Sequence, residues 1–159
     1  MRYIKADLTS VDRGIIAHGV NCQRAMNSGV AKAIREKFPK AYQAYMDIPV
    51  EFQKAFYRTA HIVDVAPGGA PYTLFVAHCF TQKTYGREPG VKYAGLDAIE
   101  GSMVYCLEYS RRVRLPIFLP KIGCGLGGLS WDDEVKPMLE ALEEKYLPLI
   151  VSELTVCDL

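Results

Sequence analysis

The sequence has few of the features that mark a metal site, a disulfide framework or a membrane segment. Its three histidines and five cysteines form no CxxC pair and show no metal-ligand spacing. The odd number of cysteines argues against a closed disulfide framework and favours a reducing, cytoplasmic location. No apolar run approaches the roughly 18 residues of a membrane span. We therefore expect no metal, no cofactor and no membrane partner.

The chain also lacks an excess of charge of either sign. Lysine and arginine number 19, and aspartate and glutamate number 18, which leaves a net charge of +1. This balance gives no overall attraction to nucleic acid or to an anionic membrane, so any anion must be bound locally. Of the 159 residues, 50% are apolar and 23% are charged, as in folded globular proteins. The length predicts one domain over residues 1–159.

Short apolar stretches alternate with amphipathic ones along the chain. The predicted strands are 2–7, 14–21, 59–66, 73–80, 115–122 and 149–157, and a Pro-Gly-Gly-Ala-Pro turn at 67–71 joins the third to the fourth. The predicted helices are 28–38, which Pro39 stops, 41–46, 93–112 and 132–146. Helices placed between apolar strands are typical of an α/β protein. We predict a three-layer α/β/α sandwich with a mixed, mostly parallel central sheet.

The loop after the second predicted strand contains small and polar residues. Ser28, Gly29 and Ala31 leave room for a phosphate or a ribose to approach the backbone, and Asn21 can donate to and accept from a sugar hydroxyl. In open α/β sheets, ligands collect at this edge because helix N-termini present unpaired N–H groups there. The alternative is an ordinary helix start with Asn27 or Ser28 as its cap.

A second candidate loop, residues 120–131, is rich in glycine. Gly123, Gly125, Gly127 and Gly128 lie between a predicted strand and a predicted helix, where successive backbone N–H groups can surround a diphosphate. No Gly-Lys-Ser/Thr follows, and the spacing does not match the dinucleotide fingerprint. The alternative is a tight strand-to-helix turn that uses glycine for structural reasons alone.

Other residues permit both a chemical and a structural interpretation. His18 is either an acid/base next to the first loop or a hydrogen-bonded core residue, and Cys124 is either a thiolate nucleophile or an inert thiol. The segment 80–87 mixes aromatic and cationic residues, so it either closes over a ring or a phosphate or forms an exposed loop. We interpret His61 and His78 as structural.

Taken together, these segments resemble a macrodomain, the ADP-ribose-binding α/β/α module. Residues 5–9, with Asp7, resemble the family's strand-end Gly-Asp-Ile-Thr, although Ala6 replaces the glycine. Residues 20–31 and 120–131 resemble the ribose and phosphate loops of the ALC1-like branch. Some members of this branch resemble phosphatases acting on ADP-ribose 1″-phosphate, and others remove ADP-ribose from glutamate or from DNA bases. The motifs occur in the family's order and cover nearly the whole chain.

The resemblance implies a role for each site residue. Asp7 would accept a hydrogen bond from the adenine amine, the Leu8 N–H would also face the adenine, and Asn21 would hold the distal ribose. The remaining ligand-binding residues would be Ser28, Gly29 and Val30 on one side of the diphosphate, Ile122, Gly123, Cys124, Gly125, Leu126 and Gly127 on the other, and Phe80.

The resemblance also implies the chemistry. Related hydrolases acting on glutamate-linked ADP-ribose use a lysine after the fourth strand and an aspartate in the phosphate loop, but Gly127 stands at the aspartate position here. We therefore predict a phosphatase that converts ADP-ribose 1″-phosphate to ADP-ribose and phosphate. His18 would orient or deprotonate the water, Asn21 would hold the 1″ oxygen and Lys83 would supply an amine. The alternatives are a non-catalytic ADP-ribose reader and a hydrolase that removes ADP-ribose from protein or nucleic acid.

Overall fold

A computed structural model describes residues 1–68 and 72–159. The strands are β1 Arg2–Lys5, β2 Gly14–Asn21, β3 Ala60–Asp64, β4 Leu74–Gln82, β5 Ile117–Leu119 and β6 Thr155–Asp158. The α-helices are α1 Gly29–Lys37, α2 Pro39–Asp47, α3 Val50–Gln53, α4 Leu96–Val113 and α5 Lys136–Tyr146. Short 3₁₀ turns cover Leu8–Ser10 and Lys54–Phe56, and a π-helical turn over Trp131–Val135 leads into α5. No helix among the described residues is both long and apolar enough to cross a membrane.

The strands form one six-stranded sheet in the order β1-β6-β5-β2-β4-β3. All neighbouring pairs are parallel except β3 and β4, which are antiparallel. The sheet is therefore mixed and mostly parallel, as the alternation of strands and helices predicted. Because β2, β4 and β5 are parallel, the loops that follow them meet at one edge of the sheet.

Helices cover both faces of this sheet and enclose two apolar clusters. Alternate β2 residues point to opposite faces, so that Ile15 packs in the cluster under α4 and α5, and Ile16 packs in the cluster under α1 and α2. Large side chains such as Met103 of α4 and Ile34 of α1 are fully buried in these clusters. The three-layer α/β/α sandwich is confirmed.

Several boundaries differ from the predicted ones. Pro39 does end α1, but it also occupies the first turn of α2, where its missing N–H costs no helical hydrogen bond. Helix α4 begins only after Gly95, and the last strand begins at Thr155 because residues before it form a turn instead of extended chain. The centre of the predicted turn at 67–71, residues 69–71, lies outside the described residues.

Candidate functional site

Two loops at the same edge of the sheet line one groove. We call residues 21–28 the Asn loop and residues 120–130 the glycine loop. The groove consists of three adjoining cavities of about 160, 240 and 520 Å³, which we call distal, central and proximal. Leu126 lines the distal and central cavities, and Gly29 and Gly125 line the central and proximal ones. The fold therefore brings the two predicted loops together.

Helix α1 points its N-terminus at the central cavity. Ser28 precedes the helix in an extended conformation, and its side chain caps no N–H among the described residues. The Asn27 amide oxygen instead accepts a hydrogen bond from Arg35 Nη1 at 3.0 Å. Neither of the two caps considered from the sequence is therefore used, and the first-turn N–H groups of α1 remain available to an anion.

The glycine loop presents a second set of N–H groups to the groove. Within the described ranges, the backbone N–H groups of Gly125, Leu126 and Gly127 donate to no acceptor of the protein. A Cβ placed on Gly125 would meet no atom within 4 Å, so nothing in the fold itself excludes a side chain there. Successive unpaired N–H groups of this kind form a concave anion site opposite the N-terminus of α1.

The other glycines of this loop have structural reasons to be glycine. Gly123 and Gly128 have φ angles of +80° and +83°. A Cβ at Gly123 would lie 2.7 Å from Ile99 Cδ1, and one at Gly127 would lie 2.6 Å from the carbonyl oxygen of Gly123. The tight-turn alternative therefore explains three of the four glycines, and Gly125 is the exception.

Asn21 is used mainly to shape its own loop. Its Oδ1 accepts from the Gln23 N–H at 2.9 Å, and its Nδ2 donates to the Ala25 carbonyl at 2.9 Å. The Tyr45 hydroxyl lies 2.7 Å from the Asn21 carbonyl oxygen and 3.0 Å from Oδ1. The residue is 8% exposed and lines the distal cavity while its side chain fixes the turn.

Tyr45 and Gln53 hold the Asn loop from below, and sequence reasoning missed both. Gln53 is fully buried; its Oε1 accepts from the Arg24 N–H at 2.9 Å, and its Nε2 donates to the Tyr45 carbonyl at 3.0 Å. Burial raises the pKa of Tyr45, which keeps its hydroxyl protonated. The sequence offers no signal for either role, because the partners of Gln53 and Tyr45 in the Asn loop lie more than 20 residues away along the chain.

Asp7 and Leu8 line the proximal cavity at the other end of the groove. The exposed Asp7 carboxylate caps the short turn Leu8–Ser10, and its Oδ1 accepts from the Thr9 N–H at 2.8 Å and the Thr9 hydroxyl at 2.7 Å. These bonds to Thr9 hold the pKa of Asp7 below its usual value, so the group is an ionised acceptor at neutral pH.

The end of β4 supplies different residues from those predicted. Phe80 is fully buried and packs against Tyr45 and Phe56, so it cannot touch a ligand in the groove. Lys83 lies outside the groove, with its ammonium nitrogen 5.2 Å from the centre of the Tyr57 ring. The residues of this segment that do line the distal cavity are Gln82, Tyr85, Gly86 and Arg87.

His18 does not reach the groove, which corrects its predicted role as a water-orienting base. It is fully buried, with Nε2 2.8 Å from His78 Nδ1, and His78 Nε2 lies 2.8 Å from the Ala41 carbonyl. A carbonyl only accepts, so His78 carries its proton on Nε2 and accepts from His18 Nε2–H. Burial lowers the pKa of His18 well below its usual value and that of His78 to about 4. Both are neutral core residues at pH 7.

Cys124 faces the core instead of the groove. Its Sγ lies 3.4 Å from the Ile122 carbonyl oxygen, and its backbone N–H donates to the Lys121 carbonyl oxygen at 3.2 Å. Burial raises the thiol pKa to about 11, so the nucleophilic interpretation is not supported. Its predicted contact with the ligand is not supported either. Across residues 1–68 and 72–159, no group of three or more histidine, cysteine or carboxylate side chains is placed to hold a metal ion.

The sequence is similar to those of known proteins. The pattern of the Macro domain family matches residues 17–138. The chain is 27% identical over 156 residues to an uncharacterised 17.5 kDa protein from the tk-vs intergenic region of Enterobacteria phage T4, with 95% of both chains covered. It is 29% identical over 145 residues to a DNA ADP-ribosyl glycohydrolase of Thermus aquaticus, which covers 90% of this chain but 38% of that protein's length.

A solved structure has the same fold. The macrodomain of Mycobacterium tuberculosis DarG superposes with a TM-score of 0.76 at 22% identity, covering 99% of this chain and 97% of that one. At this level of identity the likeness concerns the arrangement of strands and helices.

Proposed function

This chain belongs to the macrodomain family of ADP-ribose-binding domains, and we propose that residues 1–159 form one macrodomain that removes ADP-ribose from nucleic acid. The observation that carries the proposal is the pair of backbone surfaces on the central cavity: the N-terminus of α1 and the unpaired N–H groups of Gly125, Leu126 and Gly127. A diphosphate can accept from both without any basic side chain, which suits a chain of net charge +1.

We assign the adenine, the diphosphate and the second ribose of ADP-ribose to the proximal, central and distal cavities in that order. Asp7 and the Leu8 backbone at the proximal cavity suit an adenine amine and ring nitrogen, because an ionised carboxylate accepts and an N–H donates. The central cavity takes the diphosphate. The distal cavity, with Asn21, Tyr85 and Arg87, takes the second ribose and the bond to be broken.

Hydrolysis adds water across the bond between the 1″ carbon and the nucleobase. Lys83 is the amine to which the resemblance gave a catalytic role, and it lines a cavity that adjoins the distal end of the groove through the hydrogen bond between Gln23 and Tyr85. We propose that its ammonium donates a proton to the departing base, while the water oxygen bonds to the 1″ carbon and releases its proton to solvent. The Thermus aquaticus relative's name, DNA ADP-ribosyl glycohydrolase, favours nucleic acid as the leaving group.

A phosphatase acting on ADP-ribose 1″-phosphate is the second candidate function. It is favoured by Gly127, which occupies the loop position where the resemblance places an aspartate in glutamate-linked hydrolases. A Cβ there would overlap the Gly123 carbonyl, so the loop has no room for an acid at this position. The burial of His18 removes the base that this reaction was predicted to use.

One set of incubations separates the candidates. The pure protein is mixed with ADP-ribosylated single-stranded DNA, ADP-ribose 1″-phosphate and glutamate-linked ADP-ribose, and the release of ADP-ribose and phosphate is followed. We expect ADP-ribose from the DNA conjugate, and at least a hundredfold lower rate for Lys83→Ala with unchanged ADP-ribose affinity. Phosphate release from the second substrate alone would support the phosphatase, and tight binding with no release would support a reader.

A further inference from the structure

A fourth cavity of about 470 Å³ lies outside the groove, beside its distal end. We call it the side pocket, and its lining residues are Gln23, Lys54, Tyr57, Lys83 and Thr84. The Tyr85 N–H donates to Gln23 Oε1 at 3.0 Å, and Tyr85 itself lines the distal cavity. The side pocket and the groove therefore share one wall, at the end where the 1″ carbon of ADP-ribose would emerge.

The side pocket is positively charged and has an aromatic surface. Lys54 and Lys83 line it, no carboxylate does, and neither lysine forms an ion pair with a described carboxylate. Their charges oppose the rise in the pKa of the Cys22 thiol that burial causes. Arg58, near the Tyr57 ring, is by contrast paired with a carboxylate, Asp97, at 2.7 Å.

We propose that the side pocket binds the nucleotide next to the ADP-ribosylated one in a single-stranded nucleic acid. This inference rests on the proposed function, because the strand is the leaving group attached to the 1″ carbon. The neighbouring base stacks on Tyr57 and its phosphate pairs with Lys54. The strand must be single, because the bases of a duplex are stacked on each other and cannot reach an aromatic side chain.

The lining favours nucleic acid over a peptide as the occupant. A nucleotide offers one anion and one flat ring at adjacent positions, and the side pocket offers two ammonium groups and one flat ring. Because the whole chain is nearly neutral, this local charge is the attraction available to a strand that leaves the distal cavity.

The test compares substrates of two lengths. The rates of ADP-ribose release are measured for an ADP-ribosylated single-stranded oligonucleotide and for an ADP-ribosylated mononucleoside. Lys54→Ala is expected to raise KM for the oligonucleotide about fivefold and to lower its salt dependence by about one phosphate contact. Tyr57→Leu is expected to raise KM for the oligonucleotide about tenfold, and Tyr57→Phe should keep the wild-type KM. The mononucleoside KM should not change in Lys54→Ala or Tyr57→Phe. Tyr57→Leu is compared by KM alone, because it also removes the ring beside the Lys83 ammonium and so can lower kcat for both substrates.

Controls and outcomes separate this proposal from the proposed function. Lys40→Ala, an exposed lysine on α2, is the matched control, and ADP-ribose affinity and the urea midpoint are measured for every variant. If wild type releases ADP-ribose from the oligonucleotide and Lys54→Ala has an unchanged KM, the side pocket is not the strand site although the function stands.

If wild type releases nothing from the DNA conjugate, the proposed function fails. The side pocket is then tested by fluorescence anisotropy with the unhydrolysed ADP-ribosylated oligonucleotide. Affinity that falls about fivefold in Lys54→Ala, but not in Lys40→Ala, supports the strand site. Equal affinity for both variants overturns it.

Discussion

The two loops that line the groove are held in place by different means. The Asn loop is held by side chains: its own Asn21 amide, and from outside it the Tyr45 hydroxyl and the Gln53 amide. The glycine loop is held by backbone hydrogen bonds. Within the loop, the Gly128 N–H donates to Gly125 at 3.2 Å and the Leu129 N–H to Gly123 at 3.0 Å, and from outside it the Tyr93 and Ala94 N–H groups donate to the Gly127 carbonyl at 2.9 and 3.0 Å. In the first loop polar side chains determine the backbone shape, and in the second the absence of side chains determines it.

The largest loss of stability is expected in the glycine loop. Gly128→Ala places a Cβ on a left-handed backbone and against the Val91 carbonyl oxygen. We expect the free energy of unfolding to fall by about 2–4 kcal/mol, from backbone strain and overlap together. Urea unfolding measures it. A loss below about 0.5 kcal/mol, the range of neutral surface changes, would mean that the loop does not depend on its glycines.

The corresponding change under the Asn loop is Tyr45→Phe. It removes the buried hydroxyl that donates to the Asn21 carbonyl and leaves the Ala25 N–H with only its longer, 3.4 Å hydrogen bond to Asn21 Oδ1, which should cost about 1–3 kcal/mol in urea unfolding. ADP-ribose affinity should fall as well, because the loop relaxes. The control is Tyr42→Phe on the same helix, for which no change is expected. Equal stability of the two variants would show that the hydroxyl does not support the loop.

The support of the Asn loop should also be sensitive to acid. His78 bonds α2 at Ala41, and burial lowers the pKa of His18 and His78 from 6.5. Below pH 6.5 the unfolded chain therefore binds more protons than the native one, so the free energy of unfolding decreases as the pH is lowered. The slope is about 1.4 kcal/mol per pH unit for each histidine, and for His78 it levels off near its native pKa of about 4.

Urea unfolding between pH 7 and pH 5 tests this before most carboxylates titrate. A flat curve in that range would contradict the buried histidine pair. At pH 5 the Ala25 N–H in the Asn loop should exchange its hydrogen faster than the Leu129 N–H in the glycine loop. The reason is that His78 packs against Tyr45, whose hydroxyl accepts from the Ala25 N–H.

The smallest effect on stability is expected for Gly125→Ala. The added methyl group meets no protein atom within 4 Å, so the free energy of unfolding should change by less than about 0.5 kcal/mol. Because Gly125 lines the central and proximal cavities, the added methyl group should weaken ADP-ribose binding at least tenfold, as measured by calorimetry. It is the matched control for Gly128→Ala in the same loop. Unchanged affinity would remove Gly125 from the proposed diphosphate site.

Much of the fold was predictable because its signals are local. Continuous apolar runs marked β2 and β4, which are buried along almost their whole length, and the loops rich in small residues marked the two sides of the groove. The segment 80–87 was recognised as a candidate, but the residues chosen from it, Phe80 and Lys83, do not line the groove. At the end of a strand, the sheet register and the following loop decide which side chains face a ligand. Neither of them can be deduced from the pattern of residue types.

The sequence by itself determined the order of strands and helices and the two chain segments that can approach a ligand closely. Periodicity and glycine content act on adjacent residues, so a linear pattern records them. Only the tertiary structure decided that Asn21 is bound by Tyr45, that His18 faces His78, and that a basic side pocket adjoins the groove. Each of these depends on contacts between residues distant in the chain, and such contacts form only when the layers pack.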